Sequence, residues 1–292
     1  MDIRQSITDK IITLLERGTT STGPRWTGGR ATGLPVNAST GEPYHGINVL
    51  LLWAEMAERT YSSSQWLTYK QAADLGGQVR KGERSVMCVY YQTVQKKDDL
   101  PGDERESYFL AKPFWLFNLA QVDGLPADLV TPATVKDFDA IQEAEQVLIN
   151  THAQIDYGFD SAYYAILQDK ICMPQRERFT TPENFYATAL HELTHWTGHE
   201  SRLNRQFGKR FGDDAYAFEE LVAELGAAFT VGQLGMLNAT VESHADYLQG
   251  WLKVLKTDKQ AIFTAASLAA KAADYIFSAD LALVQHKGAL DA

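Results

Sequence analysis

The sequence predicts two α+β domains joined by a short linker, and three observations support this prediction. Residues 85–95 and 108–119, in the first half, are rich in β-branched and aromatic residues, as strands are. The second half combines short strand-like segments with long stretches of helical periodicity. A proline-containing stretch with little periodicity separates the halves at residues 124–134. We therefore predict domains at 1–123 and 135–292.

The charge is unevenly distributed between these halves. Residues 1–123 contain 14 Lys and Arg against 14 Asp and Glu, which leaves 13 and 23 of the total 27 and 37 for the rest of the chain. The whole net charge of −10 therefore belongs to the second half. Residues 25–97 carry 9 basic against 5 acidic side chains. An acidic protein is a weak candidate for nucleic-acid binding, but a locally basic domain weakens that objection.

The expected cellular compartment follows from three features that the sequence lacks: a disulfide framework, a signal peptide and a membrane span. Its two cysteines, Cys88 and Cys172, form no CxxC pair and indicate no disulfide framework. The N-terminus has no basic start followed by an apolar core, so we expect no signal peptide. No stretch approaches the roughly 20 apolar residues of a membrane span. We expect a soluble, cytoplasmic protein with no membrane partner.

Local signals place helices and a long loop. Residues 19–46 are rich in Gly, Ser and Thr and exceed the usual length of a connection, which is typical of functional or disordered loops. Thr181, Pro182 and Glu183 form a helix start signal, with a capping hydroxyl, a first-turn proline and an acid near the positive end. Helical periodicity is predicted over 3–17, 47–59, 135–151, 182–195, 214–234, 241–256 and 259–277.

The strongest motif is His191-Glu192-Leu193-Thr194-His195, an HExxH sequence on a predicted helix. Residues four apart lie one turn apart on the same helix face, so both imidazoles can bind one cation. Glu192, displaced around the helix, would reach the metal-bound water and act as general base. Chance gives this pattern in about one of a hundred chains of this composition. The motif predicts a zinc-peptidase site.

A catalytic zinc site needs a third protein ligand, for which there are three candidates. His199 is excluded as a metzincin ligand, because that pattern requires its third histidine at Ser201. Glu220 and Glu224 share one helix face with small neighbours, and no Lys or Arg lies three or four residues away to pair with them. Glu219 points elsewhere and is expected at the surface.

The pair resembles that of the glutamate zincins, whose second helix carries Glu-x-x-Ala followed by an acid or amide. The resemblance implies that Glu220 is the third ligand and that Glu224 hydrogen-bonds a ligand histidine and fixes its tautomer. An exchange of these two roles remains an alternative. The expected cofactor is Zn²⁺, with another divalent ion such as Mn²⁺ as the alternative. Tyr216 is a candidate to assist the oxyanion.

Longer stretches resemble the ArdC family of plasmid antirestriction proteins. LPVNASTGEPYHGINVLLLW and WLTYKQAADLGGQVRKGE are similar to the domain shared with TraC-type primases, and HELTHWTGH and YAFEELVAELGAAF to the zincin-like peptidase of such proteins. The resemblance implies a single-stranded-DNA-binding domain, a zincin-like metallopeptidase fold with a small sheet packed on the HExxH helix, and protection of incoming conjugative DNA from host restriction. The implied partners are single-stranded DNA and an unidentified protein substrate, such as a host restriction or DNA-processing component.

Single-strand binders need cations for phosphates and aromatic faces for bases. The candidates are Arg25, Trp26, Arg30, Tyr44, Asn48, Trp66, Lys70, Arg80, Lys81 and Arg84. The alternative is that the aromatic residues are core and the basic residues solvated. Trp53, Trp115 and Phe117 lie within apolar runs and are expected in the core.

These residues are compatible with three alternative functions. The first is a DNA-binding metallopeptidase that aids DNA transfer. The second is a single-stranded-DNA-binding protein whose metal site is catalytically silent and only stabilises the fold. The third is a nuclease, which HExxH disfavours because nucleases cluster more carboxylates around paired metals.

Overall fold

The computed structural model describes residues 3–18, 33–95, 107–130, 137–207, 214–236 and 244–290. Its helices are α1 (Ile3–Gly18), α2 (Ile47–Arg59), α3 (Tyr69–Asp74), α4 (Ala127–Val130), α5 (Asp137–Asn150), α6 (Pro182–Thr197), α7 (Asp214–Gln233), α8 (His244–Thr257) and α9 (Ala261–Leu290). Its strands are β1 (Val36–Asn37), β2 (Gln65–Leu67), β3 (Gln78–Val79), β4 (Val86–Gln95), β5 (Ser107–Asn118), β6 (Val122–Asp123), β7 (Gln154–Tyr157), β8 (Tyr163–Ala165) and β9 (Lys170–Met173). Among these described helices, none is long and apolar enough to cross a membrane.

The N-terminal half is built on a four-stranded sheet in the order β1-β2-β5-β4. The long antiparallel pair β4 and β5 runs in register from Val86 opposite Leu116 to Gln95 opposite Ser107, which confirms the two predicted strands. Helix α2 packs on β4 and is tied to it by Asn48, whose amide exchanges two 2.9 Å hydrogen bonds with the backbone of Val89. The sheet and α2 thus form one unit.

The other face of this sheet is partly covered by α3 and the two-stranded sheet of β3 and β6. Leu67, Val79 and Val122 are buried in the small core between them. Helix α3 is capped by Thr68, whose hydroxyl accepts a hydrogen bond from the backbone amide of Gln71 and whose own backbone amide donates to the Gln71 side chain. This capping box stabilises a helix that is too short to persist alone.

The C-terminal half contains the small sheet β7-β9-β8, in which β7 is parallel and β8 antiparallel to β9. Helix α6 packs against β8 and β9, and α5 and α7 pack against α6. The predicted α+β class, with a small sheet on the HExxH helix, is therefore confirmed. Strand β8 lies at an edge of the sheet, beside helix α6 with its HExxH motif.

The largest hydrophobic core is shared between the two halves. It combines apolar side chains of α1 and α2 with side chains of α7, α8 and α9. Trp53 lies with its ring centroid 6.0 Å from that of Phe229. Gly232 permits this contact, since a β-carbon there would lie 2.8 Å from the Trp53 ring. The proposed linker lies partly outside the described residues, and its bounds stay a prediction.

Candidate metal centre

Helix α6 positions the motif histidines. It begins at Pro182, and the Thr181 hydroxyl accepts the Asn184 amide at 3.2 Å, as the start signal predicted. His191 and His195 then lie one turn apart on the same face, with ring centroids 4.9 Å apart. Both side chains are buried, so the two imidazoles face a confined space between α6 and the next helix.

Helix α7 supplies the third donor. Oε2 of Glu220 lies 3.5 Å from Nε2 of His191, and Oε1 of the same carboxylate lies 3.5 Å from Nε2 of His195. These three residues can offer ligand atoms that all lie within 4.8 Å of one another. A tetrahedral site with bonds of about 2.0–2.1 Å separates its ligand atoms by about 3.4 Å. The donor set and its spacing therefore fit one divalent cation.

A glycine allows α6 and α7 to approach closely enough for this. A β-carbon at Gly226 would lie 2.4 Å from Cγ2 of Thr194, a residue that is completely buried. Since real side chains do not approach so closely, position 226 has to be glycine for this packing. The small neighbours Ala227 and Ala228 are also buried. The close approach brings Glu220 within reach of both histidines.

Glu219 is buried and contacts His195, which corrects our expectation that it lies at the surface. Only 3% of the residue is exposed, and its Oε1 lies 3.2 Å from Nδ1 of His195. Arg205 contacts both oxygens of the same carboxylate at 2.8–3.3 Å. Arg205 also donates to the Thr197 hydroxyl and to the Thr194 carbonyl. The buried carboxylate of Glu219 is thus paired with the guanidinium of Arg205, and it orients the imidazole of His195 through Nδ1.

Glu224 lies on the corresponding side of the other histidine. Its Oε2 is 3.7 Å from Nδ1 of His191. Glu220 thus faces both Nε2 atoms, whereas Glu224 faces an Nδ1 atom at a distance too long for a hydrogen bond between them. The assignment of Glu220 and Glu224 to the ligand and supporting roles stays a prediction. His199 stays apart, with its Nδ1 2.8 Å from the hydroxyl of Ser201.

Burial and charge shift the titration of these groups. Burial raises the pKa of Glu192, and the nearby histidines oppose the rise. Burial lowers the pKa of His195, but the carboxylates of Glu219 and Glu220 outweigh it and raise that pKa to about 9. Burial raises the pKa of Glu220, but both histidines outweigh it and hold that pKa below its ordinary range. Glu220 therefore stays ionised, as a metal ligand must.

The motif opens into a cavity of about 710 Å³. Glu192, His191 and His195 form part of its wall, and Tyr216 lines it as well. The edge strand β8 forms the opposite rim through Tyr163 and Tyr164. Beyond β8 the chain exposes large apolar side chains, including Leu167, which is 94% exposed. The cavity thus joins the candidate metal ligands to an apolar rim and to a strand edge that pairs with no other described strand.

The candidate DNA-binding residues fall into different environments. Arg25, Trp26 and Arg30 lie outside the described residues. Trp66 is completely buried in the largest core, which corrects its assignment to base stacking. Tyr44 packs half-buried against the same core, and desolvation raises the pKa of its hydroxyl.

The Asn48 side chain is hydrogen-bonded to the backbone of Val89. The basic residues among the DNA-binding candidates fall into two groups. The guanidinium of Arg80 donates to Glu83, to Asp123 and to the carbonyl oxygen of Ala120. Arg80 therefore holds the fold together and is not free to bind phosphate. Lys70, Lys81 and Arg84 are exposed.

Trp115 and Tyr69 add two exposed aromatic side chains to the N-terminal half. Trp115, expected in the core, is 53% exposed, and Tyr69 is 55% exposed. Trp53 is buried as expected and Phe117 is half-buried. Strand alternation cannot distinguish a covered face from an uncovered one, so the sequence alone did not reveal that Trp115 faces solvent.

Comparisons with known proteins find relatives for both halves of the chain. Residues 1–117 match the N-terminal domain of anti-restriction factor ArdC, and residues 142–268 match a zincin-like metallopeptidase family. The crystal structure of antirestriction ArdC protein from the R388 plasmid, in its metal-free form, is 40% identical with a TM-score of 0.76, covering 96% of this chain and 98% of that chain. Its Mn(II)-bound form is 38% identical with a TM-score of 0.77, with the same coverage.

A DNA primase TraC from Escherichia coli is 36% identical over 296 residues, which cover 96% of this chain and 20% of the primase. A second TraC is 35% identical over 97% of this chain and 28% of its own length. The chain thus spans about a fifth to a quarter of these primases, whereas it matches the R388 protein along nearly its whole length. The two matched domains and this full-length similarity show that the chain belongs to the ArdC family of antirestriction proteins.

Proposed function

We propose that the C-terminal half hydrolyses peptide bonds with the help of a divalent cation held by His191, His195 and Glu220. The observation that carries this proposal is the convergence of both Nε2 atoms on one carboxylate, at 3.5 Å each, beside Glu192 in an open cavity. Two histidines and one carboxylate are the ligand set of hydrolytic zinc enzymes, which leave a position open for water or substrate.

The donor set favours Zn²⁺. Imidazole suits zinc, and zinc binds such sites more tightly than manganese does. Mn²⁺ is the alternative, because the R388 ArdC structure was determined with Mn(II). When bound, the cation supplies Lewis acidity, which lowers the pKa of water and polarises a carbonyl group.

Glu192 acts as the proton acceptor in this proposal. Burial raises the pKa of its carboxyl group toward neutrality, which improves its match to a general base. Glu192 takes a proton from water, the water oxygen bonds to the scissile carbonyl carbon, and the C–N bond breaks. The same proton then passes from Glu192 to the departing amine, so that the carboxylate is regenerated.

Strand β8 positions the substrate. Its partner in the sheet is β9, and its other side faces the cavity through Tyr163 and Tyr164. An extended peptide can therefore add to β8 by main-chain hydrogen bonds and pass the candidate metal ligands. Tyr216 lines the same cavity, and its hydroxyl is a candidate donor to the oxyanion that forms during attack.

The experiment compares metal content and cleavage for the wild type and Glu192→Gln. We expect the variant to bind zinc as the wild type does and to lose cleavage of a casein or peptide-library substrate. Glu183→Gln, half-buried in the first turn of the same helix, is the matched control and should retain both. Cleavage that survives Glu192→Gln would sink the peptidase proposal.

We further propose that the N-terminal half binds single-stranded DNA and that the whole chain protects incoming plasmid DNA from restriction. Support comes from the ArdC match over residues 1–117, from the TraC primases, and from the confinement of the net negative charge to the other half. The protein substrate would then be a host component present at the incoming strand, such as a restriction or DNA-processing protein.

A binding protein with a catalytically silent metal site is the competing function. The buried network of Glu219 and Arg205 around His195 favours a structural contribution of the metal, since it links α6, α7 and the loop between them. Plasmid transfer into restricting and non-restricting recipients separates the two functions. Protection that is abolished by Glu192→Gln supports the peptidase, and protection that is unchanged supports binding alone.

A further inference from the structure

An aromatic row lies on the outer face of the N-terminal sheet. Trp115 and Phe117 are two residues apart in β5 and therefore point to the same face. Phe117 contacts Tyr69 at the start of α3, edge to face, with ring centroids 6.3 Å apart. The Tyr69 hydroxyl accepts a hydrogen bond from Gln78 at 3.1 Å, which fixes the position of the ring.

Among the described residues, the fold leaves part of this row uncovered. On the opposite face, Leu116 and Trp66 are buried in the core on which α2 packs. On the outer face, α3 and the β3–β6 sheet cover Leu67 but end at Phe117, which is half-buried. Trp115 lies beyond this cover and is 53% exposed. Exposed neighbouring aromatic side chains are costly to leave in water and are typical of binding surfaces.

A cavity of about 780 Å³ adjoins the row and carries the nearest charges. Tyr69, Phe117 and Lys81 line it, together with Arg80 and its two carboxylate partners. Arg80 and Lys81 together balance the two carboxylates of the lining, and Lys81 presents an exposed ammonium at the cavity. Lys70, next to Tyr69, adds a second exposed ammonium, which lies 3.5 Å from the carboxylate of Asp74.

We propose that Tyr69, Phe117 and Trp115 form a stacking platform for the bases of single-stranded DNA, and that Lys81 and Lys70 contact its phosphates. This inference rests on the proposed function of the N-terminal half. Rings at intervals of about 6–7 Å along a strand can each receive a separate base. Only a single strand offers unpaired base faces to such rings, so the platform discriminates against duplex DNA.

The test is fluorescence anisotropy of a fluorescein-labelled oligo-dT of 20 nucleotides, titrated with the full chain across a salt series. Trp115→Ala and Tyr69→Ala should each weaken binding roughly 5- to 100-fold, the range for loss of one stacked base. Trp115→Phe keeps an aromatic ring and should restore most of the affinity. Lys81→Ala should reduce the slope of log K against log salt concentration by about 0.7.

Tyr90→Ala is the matched control, because Tyr90 is 57% exposed on the same hairpin but pairs with Lys112, in the alternate register to Trp115. It should change the affinity by less than twofold.

If the wild type binds no oligonucleotide, the proposed DNA function fails together with the platform. If the wild type binds but Trp115→Ala and Tyr69→Ala bind equally well, or if Tyr90→Ala loses as much, the platform is wrong and the DNA function stands. The platform would also be wrong if duplex DNA bound as tightly as single-stranded DNA and if that binding depended on Trp115.

Discussion

Oε1 of Glu219 lies 3.2 Å from Nδ1 of His195, and Arg205 holds the same carboxylate from its other side. A carboxylate at Nδ1 keeps a proton on that nitrogen, so that Nε2 is the nitrogen that would give up its proton to bind a metal ion. The pKa of Glu219 is raised by burial, but hydrogen bonds from His195 and Arg205 outweigh this and lower it. Glu219 therefore remains an ionised acceptor that orients a metal ligand.

Replacing this carboxylate should weaken metal binding without removing a ligand. We expect Glu219→Ala to raise the zinc dissociation constant roughly 10- to 100-fold, since partners of ligand histidines typically contribute that much. Calorimetric titration against a competing chelator measures the effect. Glu200→Gln, exposed near the end of α6, should bind zinc as the wild type does. An unchanged dissociation constant for Glu219→Ala would show that His195 needs no orienting partner.

The closest contact between α6 and α7 should be sensitive to a single methyl group. Gly226→Ala places a β-carbon against Thr194, and such overpacking costs roughly 1–3 kcal/mol. We expect a lower midpoint of urea unfolding and weaker zinc binding, because the helices that carry the ligands are pushed apart. Thr194→Ser removes the Cγ2 atom and should partly rescue both properties in the double variant. Failure of any rescue would place the cost elsewhere.

The hydroxyl of Tyr216 should matter for turnover and not for metal binding. If it donates to the oxyanion, Tyr216→Phe should lower kcat roughly 100-fold, the effect of losing one such donor. KM and the zinc content should stay close to the wild-type values. Tyr163→Phe, on the rim of the same cavity, is the comparison. Equal kcat values for Tyr216→Phe and the wild type would remove this residue from the chemistry.

Acid should remove a stabilising contribution that centres on Asp169. A charged hydrogen bond from Arg202 holds the pKa of Asp169 below its ordinary value, and Tyr164 donates to the same carboxylate at 2.7 Å. A depressed folded-state pKa stabilises the protein above the unfolded-state value of about 3.9, and this contribution is lost as the pH falls through the folded-state pKa.

Asp169→Asn tests this linkage, because asparagine tolerates the positive φ of 47° at this position. We expect the variant to be less stable than the wild type in urea unfolding at pH 7. The difference should shrink as the pH is lowered below about 4, where the wild-type carboxylate becomes protonated. A difference that is independent of pH would assign the effect to packing.

The sequence by itself determined the elements that depend on local rules. The start of α6 follows from the Thr181 hydroxyl and Pro182, and strands β4 and β5 overlap the predicted strand-like residues 85–95 and 108–119. The pairing of His191 with His195 follows from helix periodicity alone, since one turn separates the two side chains whatever surrounds them. The convergence of Glu220 on these histidines was expected only through the family resemblance.

Only the tertiary structure decided which side chains are buried and which long-range partners they meet. Glu219 appeared to be a surface residue because its partner Arg205 lies 14 residues away, on a loop that no helical spacing connects to it. Trp66 and Trp115 both lie in apolar, strand-like runs, yet one is enclosed by the core and the other faces water. Strand alternation assigns a residue to a face, but the elements that arrive from elsewhere in the chain decide whether that face is covered.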